Sequence, residues 1–145
     1  MAYRGKFKPK NPHKYKGNAD NIVYRSSWEC KFMSRLDDRE DVIEWASEEF
    51  SIPYTSPVDG KKHRYFPDFY VKFKTTDGKD KIFVIEIKPH KQVEEPKKRS
   101  KVTRQYINEV TTYAVNMAKW AAAREFCSDN GFEFQIMTEH HLGIK

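Results

Sequence analysis

The sequence predicts a single α/β domain in which an antiparallel meander of three strands is followed by a long crossover helix and one further strand. Three observations carry that prediction. Two Asp-Gly pairs, Asp59-Gly60 and Asp77-Gly78, separate three runs of strand-like character, the pattern of strands joined by tight turns. A helical pattern then extends from about Lys101 to Cys127. After Asn130-Gly131, "FEFQIM" reads as a strand again, so strand, long helix and strand make a right-handed crossover with a parallel pair. The 145 residues suit one domain, and a fold of that size buries roughly 70% of its unfolded-chain surface.

Taken in order, residues 1–19 form a basic arm and residues 20–145 the domain. The arm, "MAYRGKFKPKNPHKYKG", holds Arg4, Lys6, Lys8, Lys10, Lys14 and Lys16 and no acid. These six account for the whole net charge of +6, because the other 21 basic residues are matched by 21 acids. Pro9, Pro12 and Gly17 argue against a regular element here. Two readings are open: a solvated tail, or a nucleic-acid arm in which Tyr3, Phe7 and Tyr15 offer stacking faces beside phosphate-binding cations.

"SSWECKFMSRLDD" has helical spacing, with Trp28, Phe32, Met33 and Leu36 on one face and Ser26 as N-cap. "VIEWASEEFSIPY" ends in alternating Phe50, Ile52 and Tyr54, the first strand. "RYFPDFYVKFK" alternates Phe69, Val71 and Phe73 against Asp68, Tyr70 and Lys72, and "KIFVIEIK" is the third strand. "KPHKQVEEPKKRSK" breaks the regularity with two prolines and a cationic cluster. The long helix then offers Val102, Tyr106, Val110, Tyr113, Met117 and Ala121 as its inner face, and "TEHHLGIK" a short helical tail capped by Thr138.

No run approaches the roughly 18 apolar residues of a membrane span, and the N-terminus has no apolar signal core. Cys30 and Cys127 match no metal or redox spacing. The expectation is a soluble, unexported protein with reduced thiols in a cytoplasm-like compartment.

The acids within the strands carry the chemistry. Side chains alternate along a strand, so Glu86 and Lys88 point one way and Ile85 and Ile87 the other. If the second and third strands pair through Asp77-Gly78, Asp68 and Glu86 become neighbours on one face. Two carboxylates that close repel unless a shared proton, a cation or a metal compensates. Lys88 supplies one positive charge. Mg²⁺ would supply more, and it is commonly held by one or two carboxylates. Glu29 falls within the apolar arc of the first helix, where an acid needs a partner. It is also three residues after Ser26, which is a capping-box spacing that needs no active site.

"PDF" at Pro67–Phe69, with "EIK" at Glu86–Lys88 and an upstream helical glutamate, resembles the signature of the PD-(D/E)XK nucleases. "YRSSWE", "HRYFPDFYVK" and "EIKP" are more closely similar to the head completion nucleases of T-even-type bacteriophages, over nearly the whole chain. A more distant likeness is to the endonuclease subunit of heteromeric transposases. The resemblance implies a restriction-endonuclease-like core and metal-dependent hydrolysis of DNA. Asp68 and Glu86 would be metal ligands, with the Ile87 carbonyl as a third. Lys88 would orient the attacking water, and Glu29 would complete the acidic site. Mg²⁺ is the implied cofactor, with Mn²⁺ able to substitute. The implied role is processing of packaged DNA, with head portal or neck proteins as partners and no membrane. The setting would be the host cytoplasm during assembly, and the virion head or neck afterwards. The alternatives are a non-catalytic head-completion or DNA-binding protein and a transposase-type nuclease subunit.

Other residues are weaker candidates. Lys97, Lys98, Arg99 and Lys101 would line a DNA path in a nuclease and otherwise form a solvated loop and helix start. Gln105, Asn108 and Glu109 open the long helix near the expected site. His63 fits an ordinary turn histidine. His140 and His141 are adjacent, which is poor geometry for joint metal ligation.

Overall fold

The computed structural model describes residues 4–142, so Tyr3, read above as a stacking face, and the last residues of the tail lie outside it. The expected α/β core is observed, with three antiparallel strands, a long helix and a further parallel strand in one sheet, and with additional strands in the arm and in a separate hairpin. Its elements are β1 (Gly5–Phe7), a 3-10 turn (Pro12–Lys14), β2 (Ile22–Tyr24), α1 (Ser27–Asp38), β3 (Val42–Ser47), β4 (Ile52–Thr55) and β5 (Lys62–Tyr65). After these come β6 (Phe69–Lys74), β7 (Asp80–Ile87), α2 (His90–Val93), α3 (Arg104–Asn130), β8 (Glu133–Met137) and α4 (Glu139–Leu142).

The central sheet has the order β3-β6-β7-β8, antiparallel throughout except for the parallel β7–β8 pair. The connection through α3 is what makes that pair parallel, because a parallel neighbour cannot be reached by a tight hairpin. The meander differs from the expected one in two places: its first strand is β3, not the segment of Phe50, Ile52 and Tyr54, and its second begins only at Phe69. "VIEWASEEFSIPY" contains two strands, β3 and β4, separated where Glu48 takes the left-handed conformation at φ 51°. "RYFPDFYVKFK" is also two, β5 and β6, interrupted at Phe66–Asp68. Pro67 has no N–H to give a ladder, so the chain leaves one sheet and enters another at that point. Strands β4 and β5 form a separate hairpin sheet.

Helix α1 lays Phe32, Met33 and Leu36 into a core with Trp45, Phe69, Val71, Ile85 and Ile87. A second core joins Ile52 and Tyr65 of the hairpin to Trp120 and Ala123 of α3. The inner face of α3 is therefore Asn116, Trp120, Ala123 and Cys127, not the series beginning at Val102 and Val110. Those two valines are exposed, as is Ala121, while Tyr113 and Met117 are half-buried. Apolar periodicity located the helix correctly, but packing partners exist only along its C-terminal half. Thr103 caps its start by accepting from the Tyr106 N–H, and Gly131 ends it at φ 71°, the left-handed geometry of a helix C-terminus.

The arm is also more ordered than its prolines suggest. Gly5–Phe7 pairs antiparallel with Ile22–Tyr24, and Tyr15 is only 7% exposed, its ring edge-on to Trp45 at 4.8 Å. Phe7 meets the same indole at 5.8 Å. Asp37, buried at the end of α1, accepts from the backbone N–H groups of Lys10 and Asn11 at 2.7 and 3.1 Å. Aromatic burial and a satisfied carboxylate hold this segment, so Phe7 and Tyr15 are core residues rather than free stacking faces.

Candidate active site

Asp68 sits immediately before β6, where Pro67 has ended the preceding strand. Its Oδ2 accepts from the Ile87 N–H at 2.7 Å. Glu86 lies on the face of β7 opposite Ile85 and Ile87, is 4% exposed, and its Oε2 accepts from the Trp120 indole N–H at 3.3 Å. Lys88 follows the strand, its N–H donating to the Met137 carbonyl at 3.0 Å. Glu29 occupies the first turn of α1. Its N–H donates to Ser26 Oγ at 3.1 Å, as a cap requires. Its own carboxylate accepts from the Arg25 N–H at 3.2 Å, one residue earlier than in the usual reciprocal box. The Arg25 guanidinium in turn pairs with Glu48.

These groups share one electrostatic environment. Burial, then the adjacent charge of Glu86, holds the Asp68 carboxyl well above the usual carboxylate range; Glu29 adds to the rise and the Ile87 N–H opposes it. Burial also raises Glu29, against the backbone N–H and charge of Arg25, with Glu86 raising it further and Lys88 lowering it. Residues from α1, the start of β6 and the end of β7 thus converge on one site. Among the described residues, no three His, Cys, Asp or Glu side chains come together tightly enough to hold a metal ion by themselves. The Asp68–Glu86 pair does suit a hard cation, which takes one or two carboxylates and leaves water and substrate oxygens to complete its shell.

Two residues at the site escaped the sequence reading. Trp120 donates to Glu86, and the Tyr65 hydroxyl is buried beside the same carboxylate without a hydrogen-bond partner among the described residues. Burial first, then the charge of Glu86, pushes that phenol far above its ordinary value. Trp120 had a signal, as a large aromatic in the buried half of the long helix. Tyr65 had none, because its strand belongs to a different sheet from Glu86.

The chain matches the TnsA-like endonuclease N-terminal family over residues 39–139. It belongs to the TnsA-like endonucleases. The matched span contains Asp68, Glu86 and Lys88 and leaves Glu29 outside. This TnsA-like endonuclease is also 42% identical to the head completion nuclease of Enterobacteria phage T4, in an alignment covering 98% of this chain and 95% of that protein.

Of the cations singled out for DNA, Arg4, Lys6, Lys8, Lys10 and Lys16 are exposed, as are Lys97, Lys98, Arg99 and Lys101. Lys14 is different: its ammonium donates to the backbone carbonyls of Asp37 and Arg39 at 3.0 and 2.6 Å, tying the arm to α1. Arg99 approaches Glu109 at 3.5 Å. His63 pairs with Asp59 across its turn at 2.8 Å, and His141 accepts from the Thr138 N–H at 3.0 Å. His140 rests edge-on against His90. All three histidines have local structural partners.

Proposed function

We propose that this endonuclease is a Mg²⁺-dependent DNA nuclease of the PD-(D/E)XK type that processes packaged DNA during phage head completion. The observation that carries the reading is a buried glutamate, Glu86, beside a second carboxylate, Asp68, with Lys88 two residues further along the same strand direction. An arrangement of like charges this costly is expected where a cation and a phosphodiester complete it. The near-full-length identity to the T4 head completion nuclease supports the biological role.

Asp68 and Glu86 would hold Mg²⁺, or Mn²⁺ in its place, with the Ile87 carbonyl as a third donor. When bound, the cation supplies positive charge at the phosphoryl oxygens and acidifies the attacking water. Lys88 would orient the attacking water through its ammonium and offset charge on the phosphate. Trp120 holds the carboxylate of Glu86 through its indole N–H. Glu29 adds negative charge at the edge of the site. The exposed cations of the arm, with Lys97, Lys98 and Lys101, bind flanking phosphates. Portal or neck proteins are the proposed docking partners, and the host cytoplasm the site of action.

The test is incubation of purified protein with supercoiled, linear and branched DNA, with Mg²⁺ or Mn²⁺ and with EDTA. Cleavage with either metal and none in EDTA is expected. Absence of cleavage on every substrate, with either metal, would return the chain to a structural head-completion role.

A further inference from the structure

A groove of about 850 Å³ opens beside the proposed site, between α2 with the loop that follows it and the N-terminal half of α3. Its α3 wall is a stripe of hydrogen-bonding side chains: Gln105, Asn108, Glu109, Thr112, Tyr113 and Asn116. Their spacing of three and four residues places them on one face of the helix. One turn beyond Asn116 the same face carries Trp120, whose indole N–H reaches Glu86. The opposite wall begins at Lys91, three residues after Lys88. The groove's two walls therefore end within one helical turn of Trp120 and three residues of Lys88.

Asn116 is the informative member. It is only 5% exposed as a residue, yet no described residue holds its amide by a hydrogen bond, and the amide opens on the groove. Asn108 lies two turns nearer solvent, also without a partner among the described residues. The acid on the stripe, Glu109, is already engaged by Arg99 and by Gln105 at 3.3 Å. The groove's cations, Lys91, Lys97, Arg99 and Arg104, face three acids, Glu94, Glu95 and Glu109. Net charge is thus small, and the recognition chemistry is that of amides and one aromatic ring.

Resting on the nuclease reading above, we infer that this groove receives an unpaired DNA strand and leads it to Asp68 and Glu86. Its volume is in the range of clefts that enclose small ligands, roughly 300–1,000 Å³, which suits a few nucleotides and not a duplex. Asparagine amides carry both donor and acceptor and pair with base edges that a duplex conceals. Tyr113 supplies a face on which a base stacks.

The experiment measures binding in EDTA, where no cleavage intervenes, by fluorescence anisotropy of the full chain. The probes are a single-stranded oligonucleotide, a duplex, and a duplex carrying an unpaired flap. Asn116→Leu should leave the melting temperature unchanged or higher while weakening binding of the single strand and the flap about tenfold, with the duplex little affected. Asn108→Ala, at an exposed position where folding is not at risk, should weaken the same two probes by a smaller factor. Because the groove is nearly neutral, the salt dependence of binding should not change in either variant. Unchanged affinity for single strand and flap in both variants overturns the inference, and so does equal loss on all three probes. If the wild type cuts no DNA but binds the flap through Asn108 and Asn116, the nuclease reading falls and the groove's assignment stands.

Discussion

The Ile87 N–H donates to the side chain of Asp68, not to a backbone carbonyl of the neighbouring strand. Neighbouring N–H groups along β7 point to opposite sides, and Lys88 already donates to β8, so Ile87 faces β6. There the ladder has ended, at Phe69 opposite Ile85. The Asp68 carboxylate takes over as acceptor, and this bond fixes it beside Glu86 at 2.7 Å from the strand it serves.

That relationship separates two substitutions. Asp68→Asn retains an oxygen for the Ile87 N–H and removes a charge that Glu86 opposes, so the melting temperature should hold or rise. Asp68→Ala leaves the N–H unpaired and should cost about 1–3 kcal/mol by chemical denaturation. Both should abolish cleavage in a plasmid-nicking assay, as should Glu86→Gln. Normal nicking by Asp68→Asn would remove Asp68 from the proposed site.

The same carboxylates set a pH dependence. Asp68 titrates above its ordinary 3.8 and Glu29 above 4.5 in the folded protein, so the folded state binds protons more tightly than the unfolded chain. Their contribution is most favourable below those unfolded values and is lost as pH rises through the raised folded values. The lowered Asp41, Asp59 and Asp77 act in the opposite sense, but only below about pH 4. In EDTA, the stability advantage of Asp68→Asn over wild type should therefore grow as pH rises above about 4. Adding Mg²⁺ should shrink it, since ligand binding stabilises only the wild-type site. Melting curves across that range check both statements.

Glu29 holds a structural bond and a proposed chemical role, and glutamine distinguishes them. Glu29→Gln can still accept from the Arg25 N–H, so the melting temperature should barely move. Cleavage should fall at least tenfold if its charge serves the site. Ser26→Ala removes the cap of α1 and should cost about 1 kcal/mol with a modest effect on rate. Full activity in Glu29→Gln would leave the residue as part of the helix start alone.

The arm's cations divide by exposure. Arg4, Lys6, Lys8 and Lys10 project every second residue from a segment whose intervening Phe7 packs on Trp45. Replacing those four with glutamine should leave the fold intact and flatten the slope of log K against log[salt] by up to about 3.6. Lys14→Gln should instead lower stability, because it removes the clamp on Asp37 and Arg39. An unchanged salt slope in the fourfold variant would show that the arm does not contact DNA phosphates.

Legible from the residues alone were the α/β class, the long crossover helix with its parallel strand, the cap at Ser26, the two Asp-Gly turns and the residues from which the site is proposed. These are legible because they depend on short spacings: period two in a strand, three to four in a helix, and a proline before an acid. Long-range packing settled that "RYFPDFYVKFK" serves two sheets, that Phe7 and Tyr15 belong to the core, and that α3 buries the face of Trp120 and not that of Val110. Each of those outcomes depends on which distant segment supplies the packing partner. The same is true of the site itself, where Trp120 and Tyr65 approach Glu86 from a helix and a hairpin remote in the chain. A local pattern can mark a carboxylate as misplaced in a strand. Its burial, its donors and the charges around it exist only once the sheet, the hairpin and α3 have closed over it.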